Sequence, residues 1–230
     1  MTARYAIYWA PQTVSPLARL GEAWLGRSAE GASVAERPAV ASVNAAAADA
    51  ITAEPRRYGL HATLKPPFRL ADGSSAAALA ETLADFACGL APVMAPPLQL
   101  KRIGRFLALV PGGPAPGLAS LAAQCVAHFD GFRAPPEAEE IARRERAGLT
   151  DAQRENVRRW GYPYVMAEFR FHVTLTGPLD RETTAGLEPA LAALFAPVVG
   201  ATLDIRELAL FREPFPGASF ELVQRAPMTG

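Results

Sequence analysis

Two segments of the chain carry a histidine followed two positions later by a threonine, at His61 and Thr63 and again at His172 and Thr174. Histidine is the side chain whose ordinary pKa lies closest to neutrality, so a pair of histidines can supply one general base and one general acid. An in-line displacement at phosphorus needs such groups on opposite sides of the phosphorus atom. The threonine hydroxyls can donate hydrogen bonds to the non-bridging phosphoryl oxygens. The motifs therefore predict two catalytic histidines and two phosphate-binding threonines.

Both motifs are predicted to lie on β-strands, in which residues two positions apart share one face. On that pattern Lys65 shares the face of His61, and Arg170 and Thr176 share the face of His172. We expect Lys65 and Arg170 to offset the charge of a bound phosphate, and Thr176 to be a further candidate contact with the substrate. Which histidine is the base and which is the acid stays open, because the two motifs are nearly identical.

The two motifs belong to an internal repeat. The segment Tyr58–Leu64 can be laid over Phe169–Leu175, and an Ala-Pro-Val tripeptide follows in each copy. This repeat, with its matching stretches near 58–103 and 169–208, predicts a single bilobal domain over residues 1–230. A pseudo-twofold axis between the lobes would place one histidine on each side of a shared cleft. The predicted strands and helices mix without strict alternation, which favours an α+β fold.

A charged segment at about 134–160 separates the two copies and is predicted to be a helical insertion. The pattern Thr-Asp-Ala-Gln at 150–153 is a capping box, which predicts the start of a helix. Most of the insertion is expected to be a solvated surface, and its position before the second motif also allows a lid. Tyr162 and Tyr164 are candidates for stacking on a base or sugar of the substrate, and a role in the core or in a loop is equally open.

Composition limits the class of protein and its location. The 230 residues carry 23 Lys+Arg and 23 Asp+Glu, which argues against a protein that coats DNA. No apolar stretch predicts a membrane span, and the N-terminal apolar run is too short for a signal peptide. Cys88 and Cys125 are isolated, which indicates a reducing compartment. We therefore expect a cytoplasmic protein without a membrane partner, and, since no cluster of metal ligands occurs, without a metal or other cofactor.

Seven basic residues surround the first motif and the strand predicted after it. No acidic residue occurs from Arg56 to Leu70 or from Leu98 to Val110. This basic tract predicts a local positive field that attracts an anion, and a solvated sheet edge explains it equally well. Its members are Arg56, Arg57, Lys65, Arg69, Lys101, Arg102 and Arg105.

The paired H-x-T motifs in a duplicated lobe resemble the 2H phosphoesterase superfamily, which includes RNA 2′,3′-cyclic phosphodiesterases and LigT-type RNA ligases. Three longer stretches resemble more closely its DUF1045 branch, whose members carry the label of phosphonate metabolism proteins. These stretches are RYAIYWAP at 4–11, RYGLHATLKPPF at 57–68, and the segment 160–177. The resemblance covers nearly the whole chain. It implies a bilobal, duplicated α+β fold in which two antiparallel sheets face a central cleft and the helices lie outside.

Carried onto this chain, the resemblance makes His61 and His172 the catalytic histidines and Thr63 and Thr174 the phosphate ligands. The leading hypothesis is a metal-independent phosphodiesterase that hydrolyses a small cyclic phosphodiester, such as a ribosyl or nucleotide cyclic phosphate. The first alternative is an enzyme of RNA ends, either a 2′,3′-cyclic phosphodiesterase or a ligase, and the neutral charge weighs against a long RNA footprint. The second is a non-catalytic nucleotide- or RNA-binding module. Two intact histidines argue against such a module, because binding alone does not need two titrating groups.

Overall fold

The structure is a computed structural model that describes residues 2–40, 43–137, 140 and 148–230 of the chain. Within these residues the secondary structure consists of α-helices, β-strands and two short 3-10 turns. The helices are α1 (Pro16–Leu25), α2 (Ala45–Tyr58), α3 (Ala76–Cys88), α4 (Pro116–His128), α5 (Asp151–Trp160) and α6 (Arg181–Val199). The strands are β1 (Arg4–Trp9), β2 (Ala62–Arg69), β3 (Val93–Ala95), β4 (Leu98–Ile103), β5 (Phe106–Pro111), β6 (Val173–Thr174), β7 (Leu203–Ile205), β8 (Glu207–Glu213) and β9 (Glu221–Pro227).

The strands form two antiparallel sheets. The larger sheet has seven strands in the order β4-β5-β6-β2-β1-β8-β9, and β3 and β7 form a separate two-stranded ribbon. The predicted α+β class and the two antiparallel sheets are thereby confirmed. The strands β2 and β6, which begin one residue after His61 and His172, are neighbours in the larger sheet. Both motifs therefore lie in the middle of one continuous sheet.

The larger sheet separates two apolar clusters, because side chains alternate between the faces of a strand. On one face, Tyr5, Ile7 and Trp9 of β1 belong to the main core, which also contains residues of α3, α4 and α6. On the other face, Ala6 and Tyr8 belong to a smaller cluster that packs residues of β8 against Phe220. The helices thus cover mainly one face of the sheet, and the smaller cluster supports the other.

The strand β2 is shifted toward the C-terminus relative to the segment Tyr58–Leu64 of the repeat. It begins at Ala62, and it passes through two prolines before it ends at Arg69. Thr63 lies opposite Tyr8 but Lys65 lies opposite Ile7, so β2 carries one extra residue against β1 at this point. Such a bulge accommodates proline inside a strand, and it also turns the next side chain toward the other face.

The predicted insertion at about 134–160 is described in part, because residues 138–139 and 141–147 lie outside the described residues. Its last part is α5, which begins as predicted with a capping box. Gln153 N donates to Thr150 Oγ1 at 3.3 Å, and Thr150 N donates to Gln153 Oε1 at 3.1 Å. The single bilobal domain over 1–230 and its repeat at 58–103 and 169–208 stay predictions. Among the described helices, none is long and apolar enough to cross a membrane.

Candidate active site

A cleft with a volume of about 350 Å³ lies over the junction of β2 and β6. At this junction Ala62 pairs with Val173, and each is the middle residue of a His-x-Thr motif. Because side chains alternate along a strand, the residues that flank this pair point to the same face. The cleft is accordingly lined by His61, Thr63, His172 and Thr174. The structure therefore brings together the four residues that the two motifs predict.

The two histidines are held by equivalent hydrogen bonds. His61 Nδ1 donates to the carbonyl of Gly59 at 2.9 Å, and His172 Nδ1 donates to the carbonyl of Arg170 at 2.8 Å. A carbonyl oxygen can only accept, so each Nδ1 carries a proton, and Nε2 is the ring nitrogen that can gain or lose one. The bond from each ring to the backbone two residues earlier fixes both the tautomer and the orientation of the ring.

The acceptor atom of His61 has a partner in the unliganded cleft. Thr63 Oγ1 lies 3.3 Å from His61 Nε2, and it is the donor because Nε2 has no proton. The carbonyl that orients His61 belongs to Gly59, which follows α2 with a φ of +77°. A Cβ at this position would lie 2.8 Å from the Cβ of Ala29, so both the backbone angle and the space require glycine.

Aromatic rings surround His61. Its ring stacks on Tyr8 at a centroid distance of 4.0 Å and lies 5.8 Å from Tyr58 at a similar angle. Burial lowers the pKa of His61 to about 4, the bond to Gly59 opposes this change, and the charge of His172 adds to it. His61 is therefore neutral at pH 7.

The surroundings of His172 are different. Phe106 lies beside its ring at 5.8 Å with a tilt of 47°, and His172 is half-buried, as His61 is. The backbone geometry of the two motifs is thus nearly symmetric, whereas the side chains around them are not. A division of roles between the histidines can arise from these neighbours.

Lys65 does not line the cleft, which corrects the prediction that it binds phosphate. Its side chain is 2% exposed, and Nζ donates to the carbonyl of Val126 at 3.0 Å and lies 3.6 Å from Asp130. Desolvation lowers the pKa of Lys65 to about 8, and Asp130 opposes this change. The bulge after Thr63 turns Lys65 to the helix-covered face, where its cation meets the last carbonyls of α4.

Arg170 and Thr176 differ from their predicted roles because β6 is only two residues long and the alternation does not extend to them. The carbonyl of Arg170 orients His172, while its side chain is exposed and does not line the cleft. Thr176 does line the cleft, but it is fully buried. Its Oγ1 accepts a hydrogen bond from Leu107 N at 3.0 Å, so the hydroxyl already serves the fold.

Three tyrosines line the cleft, and sequence reasoning singles out one of them. Tyr162 lines the cleft, whereas Tyr164 is 51% exposed, lies outside it and meets Tyr162 edge-on at 5.8 Å. Tyr8 and Tyr58 also line it, although nothing in the two motifs points to them. The alternation of β1 assigns Tyr8 to one face of a strand, but only the pairing of β1 with β2 makes that face the floor of the cleft.

The basic tract around the first motif is largely compensated. Its acidic partners lie outside the tract, from Asp49, seven residues before Arg56, to Glu213 near the other end of the chain. The ion pairs are Arg56 with Asp49 at 2.6 Å, Arg57 with Glu213 at 2.5 Å, Lys65 with Asp130 at 3.6 Å and Arg69 with Glu137 at 2.9 Å. Four of the seven cations are therefore paired, whereas Lys101, Arg102 and Arg105 are exposed and have no ion pair with the described residues.

Two solved structures are similar to this chain over 100% of its length and 100% of theirs. One is described as a phosphoesterase, with 18% sequence identity and a TM-score of 0.41. The other is LigT of E. coli complexed with 3′-AMP, with 16% identity and a TM-score of 0.42. Overlap at this level is too loose to transfer the chemistry of those proteins to this chain.

Two curated relatives share the name ribose 1,5-bisphosphate phosphokinase PhnN. The protein from Janthinobacterium sp. (strain Marseille) is 37% identical over 99% of this chain and 51% of its own length. The protein from Laribacter hongkongensis (strain HLHK9) is 39% identical over 95% of this chain and 50% of its own length. The chain thus spans about half the length of the curated relatives it matches.

The chain also matches a protein family over most of its length. The family is described as a protein of unknown function, DUF1045, and the match extends over residues 63–221. This range includes Thr63, His172 and Thr174. The resemblance to the DUF1045 branch is confirmed, and the chain belongs to the DUF1045 family.

Proposed function

We propose that this protein is a metal-independent phosphodiesterase of the 2H type, which hydrolyses a small cyclic phosphodiester with His61 and His172 as its acid–base pair. The observation that carries the proposal is the matched geometry of the two motifs. Each histidine donates from Nδ1 to a carbonyl two residues earlier and lines the same cleft. Thr63 and Thr174 stand beside them, where their hydroxyls can bind the non-bridging phosphoryl oxygens.

The proposed reaction needs only these side chains and water. Water attacks the phosphorus atom, and His61 Nε2 accepts a proton from the water as the new P–O bond forms. The bond from phosphorus to the leaving ring oxygen breaks, and His172 donates a proton from Nε2 to that oxygen. The product is a phosphomonoester with one free hydroxyl group. Both histidines then return to their starting protonation states by exchange with solvent.

The asymmetric surroundings of the histidines support this division of labour. Tyr8 and Tyr58 stack against His61 and shield it from water, so the uncharged ring that a general base requires is favoured there. His172 lacks such stacking within the described part of the chain and has Phe106 beside its ring at 5.8 Å, so its surroundings differ from those of His61. Among the described residues, no three His, Cys, Asp or Glu side chains gather into a group that could hold a metal ion.

A ribosyl cyclic phosphate is the substrate that the relatives favour. Their name refers to ribose 1,5-bisphosphate. Hydrolysis of a phosphate that bridges O1 and O2 of ribose 5-phosphate, with cleavage of the bond to O2, yields ribose 1,5-bisphosphate. We therefore place 5-phosphoribosyl 1,2-cyclic phosphate first among substrates. The kinase activity in that name is not assigned to this chain, whose two lysines, Lys65 and Lys101, each follow a leucine and form no P-loop motif.

We place this activity in the cytoplasm. Phosphorylated sugars are intracellular metabolites, and the two cysteines in the structure, Cys88 and Cys125, are both free thiols. The expected partner is a small phosphodiester substrate, and an RNA end is the alternative that the same reaction chemistry allows.

The proposal is tested by phosphorus NMR with a panel of substrates in the presence of EDTA. The panel contains 5-phosphoribosyl 1,2-cyclic phosphate, nucleoside 2′,3′-cyclic phosphates and RNA with a 2′,3′-cyclic end. We expect turnover of a small member, and a loss of kcat of about 10²- to 10⁴-fold in His61→Ala and in His172→Ala. His128→Ala is the matched control, because His128 lies at the end of α4, stacked on Phe86 and outside the cleft.

Four outcomes would contradict the proposal. Activity that survives both histidine substitutions would exclude their catalytic role, and activity abolished by EDTA would exclude a metal-independent reaction. Turnover restricted to RNA ends would favour the RNA-processing alternative. Tight binding of a nucleotide without turnover by the wild-type protein would favour the binding-module alternative.

A further inference from the structure

A groove with a volume of about 1030 Å³ adjoins the histidine cleft. The two depressions share Arg4, Tyr58 and Pro67 in their walls. The groove is rich in arginine, since Arg57, Arg69 and Arg133 line it together with Arg4. A ligand that fills the cleft can therefore extend into the groove past Arg4 and Tyr58.

The arginines next to the cleft are organised by one buried carboxylate. Glu213 is 0% exposed, and its two oxygens accept from Arg4 Nε and from Arg57 Nη2, each at 2.5 Å. Gly217 N also donates to this carboxylate at 3.0 Å. These bonds hold the pKa of Glu213 below its ordinary value despite the opposing effect of burial. One negative charge thus fixes two cations, and the cluster of Arg4, Arg57 and Glu213 carries a net charge of +1.

This cluster retains donors that the protein does not use. Arg4 donates to Glu213 through Nε alone, and among the described residues neither of its terminal nitrogens has a protein acceptor. Arg57 uses Nε for the carbonyl of Ala218 and Nη2 for Glu213, which leaves Nη1. Both side chains are about one-third exposed, at 32% and 33%. Three guanidinium nitrogens are therefore available to an anion.

The other two arginines of the groove each use two of their three guanidinium nitrogens, as Arg57 does. Arg133 donates to both oxygens of Asp130 and to the carbonyl of Arg159. Arg69 pairs with Glu137 at 2.9 Å and donates to the carbonyl of Pro135 at 3.3 Å. Arg4, which lines both the groove and the cleft, thus keeps two guanidinium nitrogens without a partner among the described residues, whereas Arg57, Arg69 and Arg133 keep one each.

The position of the cluster fits a second charge on a small substrate. Arg4 and Tyr8 lie on the same face of β1, four residues and therefore about 13 Å apart along the strand. Tyr8 stacks on His61, and the long side chain of Arg4 shortens the remaining gap because it lines the cleft as well as the groove. A sugar bound with its reacting phosphate at the histidines can direct a further substituent toward Arg4.

We propose that Arg4 and Arg57, fixed by Glu213, bind a second phosphate group of the substrate and so determine its specificity. This inference rests on the proposed function and deepens it, because it predicts that the substrate is a phosphorylated sugar cyclic phosphate. Guanidinium groups suit such a ligand, since their planar forks match phosphate oxygens and their charge does not titrate. The ion pair with Glu213 removes much of the side-chain entropy that such binding otherwise costs.

The kinetic test compares 5-phosphoribosyl 1,2-cyclic phosphate with ribosyl 1,2-cyclic phosphate, which lacks the second phosphate. We expect the wild-type protein to prefer the first by at least about tenfold in kcat/KM, because hydrogen bonds to charged groups contribute that much. In Arg4→Gln and Arg57→Gln the loss of kcat/KM is expected to be several times larger for the phosphorylated substrate. Arg4→Lys, which keeps the charge without the fork, should recover part of it. The matched control is Arg212→Gln, which removes an arginine from the same sheet at an exposed pair with Glu221.

A binding measurement keeps the inference separate from catalysis. Ribose 5-phosphate is titrated calorimetrically into the wild-type protein, the arginine variants and a His61→Asn/His172→Asn double variant. We expect affinity to survive in the double variant and to fall by at least about tenfold in Arg4→Gln and Arg57→Gln. If these affinities are found but no substrate is turned over, the proposed function is wrong and the phosphate-binding role of Arg4 and Arg57 is retained. The inference would be overturned, without affecting the proposed function, if the arginine variants lost kcat/KM equally for both substrates. The same would follow if the affinity for ribose 5-phosphate depended on the histidines and not on the arginines.

Discussion

Ala62 and Val173 lie opposite each other where β2 meets β6, and each is the middle residue of a His-x-Thr motif. The junction of the two motif strands is therefore also the centre of the candidate active site. The pair places His61 and His172 on one face together with their threonines. Residues at equivalent positions of the two motifs therefore approach each other at this antiparallel junction.

The symmetry of the junction does not extend to the neighbours of the two rings. Tyr8 and Tyr58 stack on His61, whereas Phe106 is the aromatic neighbour of His172. Burial among these rings lowers the pKa of His61 to about 4. Equivalent backbone positions can therefore serve unequal chemical roles, and this difference has a signature in the dependence of the rate on pH.

The acid limb of the pH–rate profile is expected near pH 4 rather than near 6.5. A general base must be unprotonated, and His61 loses its proton above a pKa of about 4, so kcat/KM falls only as the pH drops through that value. The measurement uses uridine 2′,3′-cyclic phosphate, which has no second phosphate that titrates in this range. An acid limb near 6.5 would contradict the assignment of His61 as the base.

Removing one of the aromatic rings that stack on His61 should shift the acid limb of the pH–rate profile. In Tyr58→Ala, water gains access to His61, its protonated form becomes less costly, and the acid limb shifts to higher pH. Tyr58→Phe retains the ring and should keep the limb in place. Equal shifts in both variants would assign the effect to the tyrosine hydroxyl rather than to burial.

The threonines of the cleft are expected to separate into two functional classes. Thr63→Val and Thr174→Val remove a hydroxyl that binds the phosphoryl group, and we expect kcat/KM to fall about 10- to 100-fold with little change in stability. Thr176→Val instead removes the acceptor of Leu107 N, so it should lower the free energy of unfolding by about 1–3 kcal/mol. Steady-state kinetics and urea denaturation of the three variants check this. Loss of activity without loss of stability in Thr176→Val would make its hydroxyl a substrate ligand.

The placement of the two motifs in one cleft and the start of one helix could be predicted from the sequence. The paired motifs identified His61 and His172, which the structure brings into one cleft, and the capping box located the start of α5 at Thr150. These signals depend on a few neighbouring residues and on the periodicity of a strand or helix. They are readable because no distant part of the chain has to be known.

Predictions that depended on uninterrupted strands were wrong. The alternation of side chains along an uninterrupted strand predicts that Lys65 lies on the same face as His61. One extra residue in β2 instead places Lys65 on the opposite face of the sheet. Such a bulge is stabilised by pairing with β1, so its effect depends on a strand more than 50 residues away in the sequence. The same limit applies to Arg4 and Arg57, whose shared partner Glu213 comes from the other end of the chain.

Lys65 is therefore expected to act on stability and not on catalysis. In Lys65→Met the carbonyl of Val126 loses its donor, and we expect the free energy of unfolding to fall by about 1–3 kcal/mol. Asp130 keeps its bond to Arg133, so no carboxylate is left without a partner. Lys101→Met is the matched control, because it removes the other lysine from an exposed position. A loss of kcat/KM above about tenfold in Lys65→Met would restore the phosphate-binding role.

The lowered pKa of His61 also predicts how stability depends on pH. Between about pH 4 and 6.5 the unfolded chain holds a proton on His61 that the folded protein does not, so folding is progressively disfavoured as the pH falls through this window. From pH 7 to pH 5 the wild-type protein should lose roughly 2 kcal/mol more than His61→Gln, which has no titrating ring. Urea denaturation at the two values measures both losses, and other groups cancel in the comparison. Between pH 7.5 and 8.5 the histidine is neutral in both states, so the difference between the two proteins should be constant there. Parallel losses between pH 7 and pH 5 would show that His61 is not shielded from water.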